Sequence, residues 1–400
     1  MNKKVMAAIL FVAALCMVFV GCSKKDAKAE KVVLTVWESA NGPDEFIKQA
    51  GAAFTAKYPN IEINYVNVES NDASTQIALD GPAGVGADVF CAQHDQIGKL
   101  VSSGLVLPVA NPDAVSKTLL GACIQGATYN GTMYGYPVSA ETYAVYYNKD
   151  LISEKDLPKT WDDLAKWSAD FAKKNPGKQG LVMDVGNAYY SIIFASAKGN
   201  RLFGESGTDF SSSYLNTPAA IEGMKVFQNL RKVGLDVPAA DLTGSTVDAS
   251  FQSGLAAMAI SGPWNLGNYA NAGINYGVAP LPAMPGESTP SASFSGVRCM
   301  FVSAYTDYPE EAALFAEFLL SDEMQELRYD ITAALPSISM ELSDPAALGF
   351  LKQLDYAYPM RTGPQMDKYW EVFGAASSNI WNGADVATEL AAAEASIIGK

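Results

Sequence analysis

The chain has 400 residues, 49% of them apolar, and a formal net charge of −15. That length exceeds one ordinary core, so two domains are expected. A field of that sign repels nucleic acid and anionic lipid. One histidine, His94, and no CxxC spacing argue against His-based triads, His-rich metal sites and paired-cysteine zinc or redox sites. No metal or cofactor is expected.

The chain opens with Lys3 and Lys4, then runs from Val5 to Val20 without a charge, and reaches Gly21-Cys22. A basic head, an apolar core and a small residue before the break predict a secretory signal peptide over 1–21. A single membrane anchor is the alternative, although a span needs about 20 apolar residues and this run is shorter. A cysteine right after the small residue resembles a bacterial lipobox, with Cys22 lipidated as the new N-terminus; Phe19 stands where such boxes usually carry Leu. The small, polar stretch 22–31 then reads as a tether. Once Cys16 and Cys22 are set aside, Cys91, Cys123 and Cys299 remain. They fit either three buried thiols or one disulfide with a free thiol.

The β-rich run Val32 to Trp37 predicts a first strand. Phe46, Ile47, Ala50 and Phe54 recur at helical spacing over 44–57, and Tyr58-Pro59-Asn60 stops that helix. Ile61 to Val66 alternates as a strand does, and Ala87 to Cys91 suits a buried parallel strand. Thr160 before Trp161-Asp162-Asp163 caps a helix that Asn175-Pro176-Gly177 ends. Thr217-Pro218 opens another, closed by Gly234, and Asp307 to Glu310 repeats the capping pattern. Strands are predicted at 255–260, 275–281 and 297–303. The alternation gives an α/β protein with largely parallel sheets. Pro and Gly cluster over 280–296, a plausible crossing between domains.

Several aromatic residues sit beside turns at strand ends, where open α/β sheets bind ligands. Trp37 meets Glu38-Ser39-Ala40-Asn41, Trp264 follows Ser261-Gly262-Pro263, and Gly363-Pro364-Gln365 leads to Trp370. Trp161 and Trp167 fall inside a helix and read as packing. An aromatic ring offers a flat face to the C–H side of a sugar, and carboxylates and amides partner its hydroxyls. Asn41, Gln93, Asp95, Glu141 and Gln365 are candidates for that role. Each taken alone is as well explained by a solvated loop or a cap.

The segments Leu79 to Gly84, His94-Asp95-Gln96-Ile97-Gly98, Tyr134 to Thr142, Tyr147-Asn148-Lys149-Asp150, Lys159-Thr160-Trp161-Asp162-Asp163, Ser261-Gly262-Pro263-Trp264 and Pro364-Gln365-Met366 with Trp370 occur in one order across residues 32–385. In that order and spacing the chain resembles the family 1 extracellular solute-binding proteins of ABC importers, maltose and maltodextrin binders above all. The resemblance implies a two-lobed α/β fold with a ligand cleft between lobes. It implies crossings near 140, 293 and 336, so that 31–140 with 294–335 makes one lobe and 141–293 with 336–400 the other. It places Trp264, Trp370 and Tyr189 on a sugar platform and Glu141 and Asp95 among the hydroxyl acceptors. Gln93 and Gln96 share the loop of Asp95, and Asn41 lies in the first-strand loop. Ala92 and Gln96 stand where enteric maltose binders carry Trp and Arg, so one subsite is rebuilt and the sugar is left open.

The expected function is capture of a neutral oligosaccharide without bond cleavage and its delivery to ABC permease subunits in the membrane. The protein would act outside the cytoplasm as a monomeric, lipid-anchored component. An exported glycoside hydrolase using Asp95 and Glu141, or a binder of a non-sugar solute, are the alternatives.

Overall fold

The structure, a computed structural model, describes residues 31–363 and 365–399. The predicted signal peptide, Cys22 and the tether up to residue 30 lie outside the described residues. Strands β1 (Val32–Glu38), β2 (Ile61–Asn67) and β3 (Val89–Gln93) come first. A short hairpin, β4 (Thr128–Tyr129) with β5 (Thr132–Met133), precedes β6 (Gly135–Glu141). Next are β7 (Ala144–Asn148), β8 (Gln179–Val182), β9 (Ala256–Ser261) and β10 (Tyr276–Ala279), which form a second sheet in the order β10-β7-β9-β8. Strands β11 (Phe294–Val302) and β12 (Tyr358–Pro359) return to the first sheet. Its order is β12-β11-β3-β1-β2, with β6 pairing β11 as well.

The predicted elements appear where their side chains require them. Phe46, Ile47, Ala50 and Phe54 are wholly buried on the helix Pro43–Lys57, which packs on β2. Thr160 accepts a hydrogen bond from the Asp163 amide, and Thr217 one from the Ala220 amide, so both caps form as the sequence indicates. At 307–310 no side-chain box forms. The helix there is Pro309–Phe318, with proline in its first turn, and Thr306 takes the Tyr308 amide instead.

The sheets are mixed, not largely parallel. β1 pairs in parallel with β2 and β3, but β11 runs antiparallel to both β3 and β6, and β7 antiparallel to both β9 and β10. The cause is the direction of re-entry. β1, β3 and β6 run toward the second sheet, and β11 returns from it, so β11 enters from the end where they finish. The chain passes from β6 to β7 over two residues and from β10 to β11 through the Pro/Gly-rich segment. It passes a third time between the helices Asp322–Thr332 and Pro345–Leu354, of which the second packs on β10.

Period-two alternation divides the interior. Tyr143, Val145 and Tyr147 join a core with Trp161, Phe194, Phe227 and Trp381, while Ala144 and Tyr146 face Phe251, Tyr269 and Phe350. Trp37 is buried against Phe90 and packs in the first core; it is not exposed at the strand end. Trp161 is buried, and Trp167 stacks on Phe171 at 5.0 Å. Cys91, Cys123 and Cys299 are three buried free thiols, the first of the two readings left open. Burial pushes the Cys123 thiol up to about 12.

Candidate ligand-binding cleft

A cavity of about 1130 Å³ lies where the two sheets meet, and it is lined by all eight residues proposed from the sequence: Asn41, Gln93, Asp95, Gln96, Glu141, Tyr189, Trp264 and Trp370. The volume lies just above the usual range for a small-molecule site. Gln365, another candidate, is not among the lining residues. It caps the helix Met366–Trp381, and its side-chain oxygen is buried without a partner.

The rings are held by short elements at strand ends. Trp264 sits in a single turn, Pro263–Asn265, directly after β9. Its indole lies so close over Gly262 that a Cβ there would fall 2.1 Å from the ring, and Tyr146 donates to the Gly262 carbonyl at 2.8 Å to pin the turn. Tyr189 is the second residue of the helix Ala188–Ala195, whose cap Asn187 accepts from the Tyr189 amide at 2.9 Å. Trp370 lies near the start of Met366–Trp381. Tyr189 is the middle of the group, with ring centroids 6.3 Å from Trp264 and 6.5 Å from Trp370, within the range of aromatic neighbours. Buried Phe294, the first residue of β11, supports Tyr189 at 6.2 Å from beneath. Trp264 is 43% exposed, so its indole remains accessible at the cleft.

The polar residues come from the opposite wall. Gln93 ends β3, Asp95 and Gln96 lie in the turn His94–Gln96, and Glu141 ends β6. Asn41 has a left-handed backbone (φ 62), which asparagine tolerates, in the turn after β1. Trp370 donates from Nε1 to Asp95 Oδ2 at 3.0 Å, so a ring of the second side touches a carboxylate of the first. Burial lifts the Asp95 carboxyl to about 6, against the pull of that hydrogen bond. Burial also raises Glu141, opposed by the guanidinium groups of Arg298 and Arg328. His94 is wholly buried and structural. Its Nδ1 accepts from the Val297 amide at 3.0 Å, which leaves Nε2–H to donate to the Met360 carbonyl at 3.1 Å.

The structure adds residues that the sequence reading missed. Asp184, Asn187, Asp248 and Asn268 line the second side, and Asp248 accepts from both Asn265 and Tyr269 at 2.7 Å. On the first side, Arg298 reaches the cleft from the middle of β11 and donates to buried Glu38 and, at 2.7 Å, to Ser39. One signal for it existed: a lone charge inside the apolar run Val297-Arg298-Cys299-Met300-Phe301. Arg328 had none, because it lies on a helix with many charges. Among the described residues, no group of three His, Cys, Asp or Glu side chains is placed to hold a metal ion.

Mixed sheets in two lobes, with a ring-lined and polar cleft between them, define a two-lobed solute-binding protein. The chain belongs to the bacterial extracellular solute-binding protein family, whose model matches residues 39–326. It is 31% identical to a galactooligosaccharide-binding protein of Bacillus subtilis, over 94% of this chain and 92% of that one. It is also 31% identical to a maltodextrin-binding protein of the same organism, over 92% of each. A cyclo/maltodextrin-binding protein solved with maltotetraose superposes with a TM-score of 0.80 at 32% identity, over 93% of this chain and 98% of that chain.

Proposed function

We propose that this protein captures a neutral oligosaccharide in the cleft and hands it to an ABC permease in the membrane, making and breaking no bond. The observation that carries the reading is the convergence of Trp264, Tyr189 and Trp370 on a cavity whose far wall is carboxylate and amide. Rings stack on the apolar faces of sugar units, and the opposite wall takes the hydroxyls. Each ring contributes about 0.5–1.5 kcal/mol beyond burial. With hydrogen bonds at about 0.5–1.5 kcal/mol net apiece, the sum reaches about −8 kcal/mol, a micromolar affinity that suits capture followed by release.

The lobes are 31–140 with 294–335 and 141–293 with 336–400, hinged at the three crossings. They close because the closed state makes contacts to the sugar that the open state lacks. The relatives named for galactooligosaccharide and maltodextrin binding support the carbohydrate class. The chain works outside the cytoplasm as a monomer, tethered through a lipid on Cys22. No helix among the described residues is long and apolar enough to cross a membrane.

The test is a calorimetric panel of maltooligosaccharides, galactooligosaccharides, amino acids and peptides, with product analysis after long incubation. Saturable binding of an oligosaccharide with the sugar recovered intact is the expected result. Steady conversion to shorter sugars would establish a hydrolase, and binding confined to peptides would remove the carbohydrate reading.

A further inference from the structure

The first-lobe floor of the cleft holds two arginines and one wholly buried carboxylate between them. Glu38 lies at the end of β1. It accepts from Arg298 Nη2, from the Ser39 amide at 2.7 Å and from Arg298 Nε at 3.4 Å. Burial would raise its carboxyl, but Arg298 and Arg328 outweigh that and hold it below the usual range. Arg328 Nη1 lies 3.6 Å from Glu38, close enough for Coulomb attraction and too far for a hydrogen bond. Its guanidinium is packed over the Phe46 ring at 5.1 Å, and its side chain is only 2% exposed. Glu38 thus anchors Arg328 without using up its hydrogens.

The consequence is an unmatched set of polar atoms. Arg328 Nε and Nη1 are buried donors with no partner, and Gln93 Oε1 and Gln96 Oε1 are buried acceptors with none. All three residues line the cavity, with these atoms tucked just behind its wall, so a ligand reaches them as the side chains turn toward it. Each such atom costs folding free energy until something pairs it. The chemistry of the partner follows from the mixture. A carboxylate would answer only the arginine and would sit among Glu38, Asp95 and Glu141. A cation would answer only the amides and would meet two guanidinium groups. Adjacent ring hydroxyls both accept and donate, carry no charge and answer both kinds of atom.

We propose that Arg328, with Gln93 and Gln96, forms a hydroxyl-reading subsite in the cleft floor, and that Arg328 determines which configuration of neighbouring sugar hydroxyls is accepted. This rests on the oligosaccharide reading above and names the part of the cleft that sets its specificity. The rings tolerate any sugar with an apolar face. The arginine does not, because a hydroxyl turned the wrong way leaves its N–H groups unpaired.

Affinities for maltotetraose and a galactotetraose, measured by calorimetry on the wild-type chain and on Arg328→Met and Arg328→Lys, test the proposal. The wild type should prefer one sugar. Arg328→Met should lose tenfold or more on that sugar, on the order expected for hydrogen bonds to a charged group, and little on the other, so the preference narrows. Arg328→Lys keeps the charge beside Glu38 and should fall between; it decides the matter if the methionine variant does not fold. A purely structural arginine would weaken both sugars by one factor, and an unchanged preference overturns the proposal. Equal binding of both sugars by the wild type overturns it too. A wild type that binds neither sugar removes the oligosaccharide reading and the subsite together.

Discussion

If the cleft binds an oligosaccharide as proposed, each of its side chains should carry a separable share of the affinity. Trp264 and Trp370 approach Tyr189 from two sides, so removal of either leaves the others standing. Trp264→Ala or Trp370→Ala should weaken oligosaccharide binding tenfold or more, about 1.4 kcal/mol, measured by calorimetry. The half-exposed Trp264 should leave the melting temperature nearly unchanged. Asp95 makes affinity depend on pH. Its carboxyl sits near 6 in the free protein because burial disfavours the charge. A sugar hydroxyl that donates to it favours the ionised form, so the complex holds fewer protons than the free protein. Affinity should therefore fall as pH drops through about 6 and level off above. Asp95→Asn should flatten that profile between pH 5 and 7; an Asn variant with the wild-type slope would shift the cause elsewhere.

The first sheet depends on one imidazole at its seam. His94 links the β11 backbone at Val297 to Met360, the residue after β12. Burial lowers it to about 4 from the ordinary 6.5, because a charged imidazolium there would be stripped of water. The folded group therefore binds its proton less readily than the unfolded one. The resulting stability is fully present above pH 6.5 and is lost as pH falls toward 4. The shift corresponds to about 3 kcal/mol at 1.36 kcal/mol per unit. Asp95, raised to about 6, contributes a slope of the opposite sign, so the His94 share is read as the difference between wild-type and His94→Gln urea melts from pH 4 to 7, which should grow as pH rises. Element boundaries were legible wherever a local rule applies: Thr160 and Thr217 as caps, Phe46 and Phe54 on one helix face. The capping pattern at 307–310 misled, since Pro309 had already set the helix start. Strand direction was not legible, because it depends on which lobe the chain returns from.

At the scale of the whole molecule, function depends on two walls meeting. Trp370 reaches Asp95 across the cleft, and Lys99 lies 3.6 Å from Asp367 beside them. Capture of a sugar should tighten this arrangement. The radius of gyration in small-angle scattering should fall on adding a saturating oligosaccharide. The melt should shift by the equivalent of about 2.7 kcal/mol at 100 times the dissociation constant. Binding with no compaction would separate capture from closure. The sequence by itself determined the α/β class, the order of most elements and the buried thiols among its alternatives, and its resemblance to a known family pointed to eight of the residues that line the cleft. It did so because caps, periodicity and motif spacing are local properties of the chain. Only tertiary structure decided that the sheets are mixed and that Trp37 is core while Trp264 is exposed. It alone placed Arg298 and Arg328 under the cleft beside Glu38. These depend on residues 260 and 290 positions apart along the chain coming within reach of one carboxylate, and no local pattern records such a meeting.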